Sequence, residues 1–377
     1  MSTIHWIDEQ NDLAGKCVLV RAEFNVPVQN GRVLDDFRIK KTLPTILYLK
    51  ERGARVILIS HIGREPSDTL APVAEALNKH LPVAFRRREN ANTDALRDGE
   101  VILLENLRQD PREMANDYGF ANELALLADL FVQDAFGTCH RAHASFVGIP
   151  KFLPSFGGML VRQEVEALSR AREPEHPSLF VLGGAKVETK EPLSRKFLGV
   201  YDKVFVGGAL ANDLLAAQGF PIGASKIEDG KVPREILHHP NLLAIDDVVV
   251  LHPDASTNTV HPKDVSAGDV IVDIGQKSVE RLTAALTECR TVLWNGPLGW
   301  YEKGFSDATR ELARAITTGK ADDGVCLTHA IIGGGDTIAA IGKPIEGSCS
   351  FVSTGGGAML EFLLKGTLPG IKALEQS

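Results

Sequence analysis

Short apolar runs alternate along this chain with stretches whose apolar residues recur at helical spacing. Val18-Leu19-Val20, Val56-Ile57-Leu58-Ile59, Val101-Ile102-Leu103-Leu104 and Leu130-Phe131-Val132 read as strands. Thr42 to Glu51 reads as a helix. Pro72 opens another at its favoured first position, with Val73, Leu77 and Leu81 on one face. Strands separated by helices imply βαβ units and parallel sheets. A longer helix is expected from Gly157-Gly158 onward, with Val161, Val165 and Leu168 on one stripe. The proline-bounded break Glu173-Pro174-Glu175-His176-Pro177 ends it and marks a domain boundary, so this helix is expected to be a connector.

The strand ends differ in chemistry between the two halves. In the first, each strand runs into a loop bearing arginine or histidine: Arg21; Ser60-His61-Ile62-Gly63-Arg64; Glu105-Asn106-Leu107-Arg108; His140, Arg141 and His143. Parallel α/β sheets place their ligand crevice beyond the carboxyl ends of the strands. Several guanidiniums gathered there repel one another unless an anion sits among them, and arginine's planar fork suits phosphate or carboxylate. In the second half the strands end in glycine. Phe180-Val181-Leu182 meets Gly183-Gly184, Val204-Phe205-Val206 meets Gly207-Gly208, and Ile271 to Ile274 meets Gly275. Val292-Leu293-Trp294 meets Asn295-Gly296, Ile331-Ile332 meets Gly333-Gly334-Gly335, and Phe351 to Thr354 meets Gly355-Gly356-Gly357. Such turns either pack a helix tightly on a strand or let a backbone approach a phosphate.

The length of 377 residues suggests about two domains. The net charge of −8 excludes a surface-wide nucleic-acid binder, so the arginine clusters are local. Five cysteines, an odd number without a Cys-x-x-Cys pair, argue against a disulfide framework and suit a reducing cytoplasm. No signal peptide or membrane span is expected. Neither Walker A nor Gly-x-Gly-x-x-Gly is present. Asp336, directly after a glycine turn, reads either as a helix N-cap or as a Mg²⁺ ligand beside phosphates. Lys186 and Lys190 read as solvated helix charges or as phosphate ligands, and Glu302 as an exposed charge or a ribose acceptor. His61, His140 and His143 lie among arginines that would repel a cation, so anion hydrogen bonding is the better reading. An anion site and a nucleotide-like site together suggest phosphoryl transfer, which needs positioning and charge stabilisation and no protein nucleophile.

Taken together, residues 18–27, 60–64, 103–108, 134–145, 182–187, 294–299, 333–337 and 353–358 resemble phosphoglycerate kinase, over nearly the whole chain. The resemblance implies an α/β fold of two Rossmann-like domains with parallel sheets joined by a hinge helix. Its divisions would be 1–156 for phosphoglycerate, 157–172 for the connecting helix, 173–354 for nucleotide, and 355–377 for a C-terminal segment whose tail returns to the first domain. It implies reversible transfer of a phosphoryl group from 1,3-bisphosphoglycerate to ADP, giving 3-phosphoglycerate and ATP, by in-line transfer after domain closure in a cytoplasmic monomer. By family pattern, Glu23, Asn25, Arg38, His61, Ile62, Gly63, Arg64, Arg108 and Arg141 would hold the phosphoglycerate. Arg38, Lys186 and the amide of Gly357 would act on the transferring group. Lys190, Asn295, Glu302, Gly334, Gly335, Asp336 and Thr337 would hold ADP or ATP, and Asp336 would bind Mg²⁺. No nucleic-acid or membrane partner is implied.

The chain departs from the pattern in places. Glu23 stands where the family usually has Asp, Cys139 and Gln133 flank the Arg141 loop, and Ala209, Asn212 and Asp213 alter positions near the expected adenine. These changes motivate an alternative, a non-catalytic or regulatory paralogue. A nicotinamide dehydrogenase would share the fold class, and the missing dinucleotide fingerprint argues against it.

Overall fold

Six strands of the first half lie side by side in the order Ala84–Arg86, Val101–Leu104, Arg55–Ile59, Cys17–Ala22, Leu130–Asp134, Ser155–Gly157, every neighbouring pair parallel. This is seen in a computed structural model that describes residues 4–184, 187–227, 234–318, 328–342 and 350–375, without the side chains of 187–191, 194, 234 and 235. Alternate residues serve two cores: Val18, Val20, Val56 and Leu58 face one, Leu19, Ile57, Ile59 and Phe131 the other. A parallel sheet covered on both faces has no solvated side, which is why these runs are apolar throughout. The Cys17–Ala22 strand is central, with Arg21 in register with Ile59 on one side and Gln133 on the other. The segments starting at Glu23, Ser60 and Ala135 therefore leave the sheet at one edge.

The chain forms two compact units, Met1–Glu166 with Thr367–Ser377, and Ala167–Gly366. In the first, the helix expected from Thr42 begins at Phe37 and runs to Glu51, with Pro44 inside it. Its first turn carries Arg38, Lys40 and Lys41, so no apolar stripe announces it. Pro72 lies in the first turn of Ala71–Leu77; Val73 and Leu77 are buried, and Leu81 is buried beyond the helix end. The long helix is Met159–Arg172, of which the part to Glu166 belongs to the first unit and the part from Ala167 to the second. Its first turn is held by side chains from elsewhere. The Asp134 carboxylate accepts from Leu160 N (2.9 Å) and Val161 N (3.4 Å), and Thr45 Oγ1 accepts from Met159 N (3.0 Å). A Cβ at Gly158 would lie 2.2 Å from that carboxylate, so only glycine leaves it room. Burial pushes the Asp134 carboxyl up to about 8. The helix Pro369–Leu374 belongs to this unit, and Gly370 N donates to Cys139 O at 2.9 Å.

In the second unit five strands are parallel, in the order Lys203–Val206, Ser178–Leu182, Thr291–Asn295, His329–Gly333, Ser350–Val352. The glycine-ended run at 271–274 is not among them. Val270–Ile274 pairs antiparallel with Val248–Leu251, which pairs antiparallel with Thr257–Val260 in a separate small sheet. Gly275 packs on Asp247 there, with a Cβ 2.3 Å from the Asp247 carboxyl carbon.

Three glycines at the edge of the parallel sheet are wedged on one another. A Cβ at Gly183 would lie 2.2 Å from Pro297 O, one at Gly208 would lie 2.4 Å from Gly184 N, and one at Gly296 would lie 2.1 Å from Gly183 O. Gly208 and Gly296 also have positive φ, 63° and 98°. Packing explains these three. Substituting Gly296 with Ala should lower the free energy of unfolding by about 3 kcal/mol, from overpacking against backbone plus left-handed strain. Urea unfolding followed by tryptophan fluorescence checks this; a loss under about 1 kcal/mol would mean that the turn opens freely.

Candidate functional site

Arg21 is the centre of the arginine-bearing edge, and it is only 1% exposed. Its Nε donates to Ser145 Oγ (2.9 Å), and its Nη1 to Ala22 O (2.8 Å) and Ser60 Oγ (3.2 Å). Its Nη2 lies 2.7 Å from His61 Nδ1, and Phe146 packs under the guanidinium at 4.4 Å. Ser145 in turn passes to Glu113, whose buried carboxylate accepts from Ser145 Oγ (2.5 Å) and Ser145 N (2.9 Å). Burial pushes the Glu113 carboxyl up, against the opposing pull of Arg21.

The 60–64 loop is fastened from several directions. Asn106 Oδ1 accepts from Ile62 N (3.2 Å), and its Nδ2 donates to Ile62 O and Asp68 O (2.9 Å each). Asn25 Oδ1 accepts from Gly63 N (3.2 Å), and Arg108 Nη1 donates to Gly63 O. Asp68 accepts from Arg64 N at 2.8 Å. Gly63 has φ +65°, and a Cβ there would meet the Asp68 carboxylate. Arg38 donates to Asn25 O (2.7 Å) and lies 3.5 Å from Glu23 Oε1, while Glu23 Oε2 accepts from Thr138 (3.3 Å). Glu23 thus pairs with Arg38 by charge from a fully buried position.

The local field is strongly positive. Burial, then Arg21, Arg108 and Arg141, hold the His61 imidazole well below the usual histidine range. Burial, then Arg141 and Arg108, hold His143 at about 4. Arg108 is lowered by burial and by Arg141 and Arg21. Arg64 is exposed and Arg141 half-buried. The first unit therefore brings together Glu23, Asn25, Arg38, His61, Ile62, Gly63, Arg64, Arg108 and Arg141. Glu113 and the role of Ser145 were not legible in the sequence; a glutamate two residues after a proline-led turn reads as solvated there.

In the second unit Gly335 and Gly356 differ from the wedged glycines, whereas Gly333 is itself packed against Met359. A Cβ at Gly335 or Gly356 would meet nothing within 4 Å. Gly334 has φ +98°. Asp336 is exposed, and Tyr301 Oη donates to its Oδ1 at 3.1 Å. Gly357 is exposed at the start of the helix Gly357–Lys365. Thr337 is buried and its hydroxyl is occupied, donating to Gly333 O (2.8 Å) and accepting from Gly296 N (2.8 Å). Asn295 is buried and Glu302 exposed. Asn212 and Asp213 are interior residues of the helix Ala209–Ala217, and Asn212 Nδ2 donates to Lys226 O (3.1 Å). Lys186 lies outside the described residues, and Lys190, in the helix Val187–Leu198, outside the described side chains. Among the described residues no group of three or more His, Cys, Asp or Glu could hold a metal. Asp336 fits the other kind of site, in which one carboxylate and substrate phosphates share Mg²⁺: it is exposed beside an open glycine turn.

The family model described as phosphoglycerate kinase matches residues 7–366. The phosphoglycerate kinase of Moorella thermoacetica is 42% identical over 390 residues, covering 97% of this chain and 98% of that protein. That of Thermus thermophilus is 41% identical over 391 residues, covering 97% and 98%. Among solved structures, phosphoglycerate kinase from Coxiella burnetii superposes with a TM-score of 0.84 at 37% identity over 99% of each chain. That from Pyrococcus horikoshii gives 0.85 at 31% identity over 98% of each.

The low pKa of His143 has a consequence for stability whose sign is fixed. His143 stays neutral in the fold down to about pH 4, whereas the unfolded chain protonates it below about 6.5. The unfolded state binds the extra proton in that window, so this contribution to stability is lost as pH falls from about 6.5 towards 4. In His143→Gln the drop in urea-unfolding free energy between pH 7 and pH 5 should be smaller than in the unsubstituted protein. Equal drops would show that His143 does not titrate this way.

Proposed function

The chain belongs to the phosphoglycerate kinase family and is a kinase, moving a phosphoryl group between 1,3-bisphosphoglycerate and ADP, and from that premise we propose which of its residues do the work. The observation that carries the proposal is the edge of the first sheet, where His61, Arg108 and Arg141 crowd together around Arg21. Such an excess of positive charge suits 3-phosphoglycerate, which carries a carboxylate and a phosphate. Asn25, Ile62, Gly63 and Arg64 complete its pocket. Arg38, held by Asn25 and Glu23, is the cation for the transferring phosphoryl group, with Lys186 and the amide of Gly357 as further donors.

In the second unit the turn at Gly334–Gly335, open in front of Gly335, suits nucleotide phosphates, with Lys190 a further phosphate contact and Glu302 the ribose acceptor. Asn295 and Thr337 enter this proposal as supports of the turn, since the Thr337 hydroxyl ties Gly333 to Gly296. Asp336 would hold Mg²⁺ together with the phosphates, and the ion would neutralise charge on the transferring group. The reading extends to a cytoplasmic monomer whose domains close for in-line transfer; the buried free thiols Cys17, Cys139 and Cys289 suit a reducing compartment. The non-catalytic alternative gains no specific observation. Glu23 retains its contact with Arg38, and the changed residues Asn212 and Asp213 are interior.

The test is turnover with 3-phosphoglycerate, ATP and Mg²⁺, coupled through glyceraldehyde-3-phosphate dehydrogenase to NADH loss. Arg38→Ala should reduce kcat by about 10²-fold or more, as expected for a lost transition-state donor, while remaining folded at the assay temperature despite leaving the buried Glu23 unpaired. Asp336→Asn should raise the Mg²⁺ concentration needed for half-maximal rate by about tenfold. Undiminished turnover in Arg38→Ala would remove that residue from the mechanism.

A further inference from the structure

Every donor of the Arg21 guanidinium has a direction fixed by chemistry. Arginine carries five N–H donors and no acceptor. The nitrogen 2.7 Å from its Nη2, His61 Nδ1, must therefore present a lone pair. In a neutral imidazole the proton then resides on Nε2. That atom is buried, and it is one of the buried side-chain atoms with no hydrogen-bond partner. His61 as a whole is 3% exposed, so water is a poor substitute. The charges that reach it, Arg21, Arg108, Arg141 and His143, are all potentially cationic and disfavour an imidazolium.

The ring on its own would not choose this state. A free histidine samples both tautomers, and one of them would turn a lone pair towards the anion. Arg21 removes the choice, and Arg21 is itself immobilised. Ser145 Oγ, Ser60 Oγ and Ala22 O take three of its other four N–H groups, Glu113 anchors Ser145, and Ser60 Oγ donates to Ala22 O at 2.7 Å.

We propose that Arg21 is a positioning residue that locks His61 as the neutral Nε2–H tautomer, so that the imidazole serves as a fixed hydrogen-bond donor to the bound phosphoglycerate. The proposal rests on the phosphoglycerate reading of this edge. It assigns Arg21 a role without substrate contact: the guanidinium writes the donor direction of its neighbour. His61 accordingly acts as a donor across neutral pH and takes no part as a base.

The test reads the tautomer directly. Protein labelled with ¹⁵N-histidine is examined by long-range ¹H–¹⁵N correlation at pH 7, with the His61 signals assigned by their loss in His61→Gln. The expected spectrum has an acceptor-type Nδ1 and a protonated Nε2, unchanged in pattern when 3-phosphoglycerate is added. A cationic ring or an Nδ1–H tautomer overturns the proposal, and this measurement needs no variant of Arg21 to fold. In Arg21→Met the tautomer preference should be lost and 3-phosphoglycerate affinity by calorimetry should fall about tenfold, the size of one buried hydrogen bond. ADP affinity should be unmoved. His61→Gln, which keeps an N–H near the Nε2 position, should bind more tightly than His61→Asn. An unchanged tautomer and affinity in a folded Arg21→Met overturns the positioning role. If the unsubstituted protein shows the expected tautomer but does not bind 3-phosphoglycerate, the substrate reading fails and takes the donor role with it.

Discussion

A guanidinium with almost no access to water sits at the middle of the first sheet, and the surrounding edge is organised to make that tolerable. Removing such an ion from water costs on the order of several kcal/mol unless hydrogen bonds replace the lost hydration. Arg21 finds them on three different segments: Ser60 and His61 after one strand, Ala22 on its own, and Ser145 beyond a third. Satisfying one buried charge thus draws together the chain segments that bear the other arginines. The same constraint leaves a surplus of positive charge at the surface of the edge, because the compensating carboxylate, Glu113, is spent behind it on Ser145. The positive field at this edge is a by-product of how the core charge is housed.

The second unit solves a different problem with a single residue type. Gly183, Gly208 and Gly296 are glycines because backbone atoms occupy the space of a side chain. Gly335 and Gly356 are glycines with empty space in front of them. The first set lets three strand ends nest, and the nest is tied to the glycine turn at 333–335 by the Thr337 hydroxyl, which spans Gly333 and Gly296. Open turn and wedged turns are therefore one mechanical piece.

Much of this was legible in the sequence, and the gaps have physical reasons. Parallel strands buried on both faces write themselves as unbroken apolar runs, so Val56 to Ile59 and Val101 to Leu104 were plain. The residues just beyond them inherit their location from the sheet, which made His61 and Arg108 readable as a cluster. Glu113 was not, because its burial is decided by a partner 32 positions away. The start of the Phe37–Glu51 helix was hidden by its basic first turn. Val270–Ile274 has the apolar content of a parallel strand yet pairs antiparallel, since pairing partners are a matter of topology and not of composition. Wedged and open glycines are spelled identically; only the space in front of each distinguishes them.

The helix Pro369–Leu374 completes the first unit, with Gly370 N bonded to Cys139 O just ahead of Arg141, yet residues 367 onward are encoded after the whole of Ala167–Gly366. During synthesis from the N-terminus, the first unit waits with an incomplete Arg141 loop while the second is made. The nascent first unit therefore has its charged sheet edge before it has the Gly370–Cys139 bond behind the Arg141 loop, and its packing is completed only when residue 370 has been made.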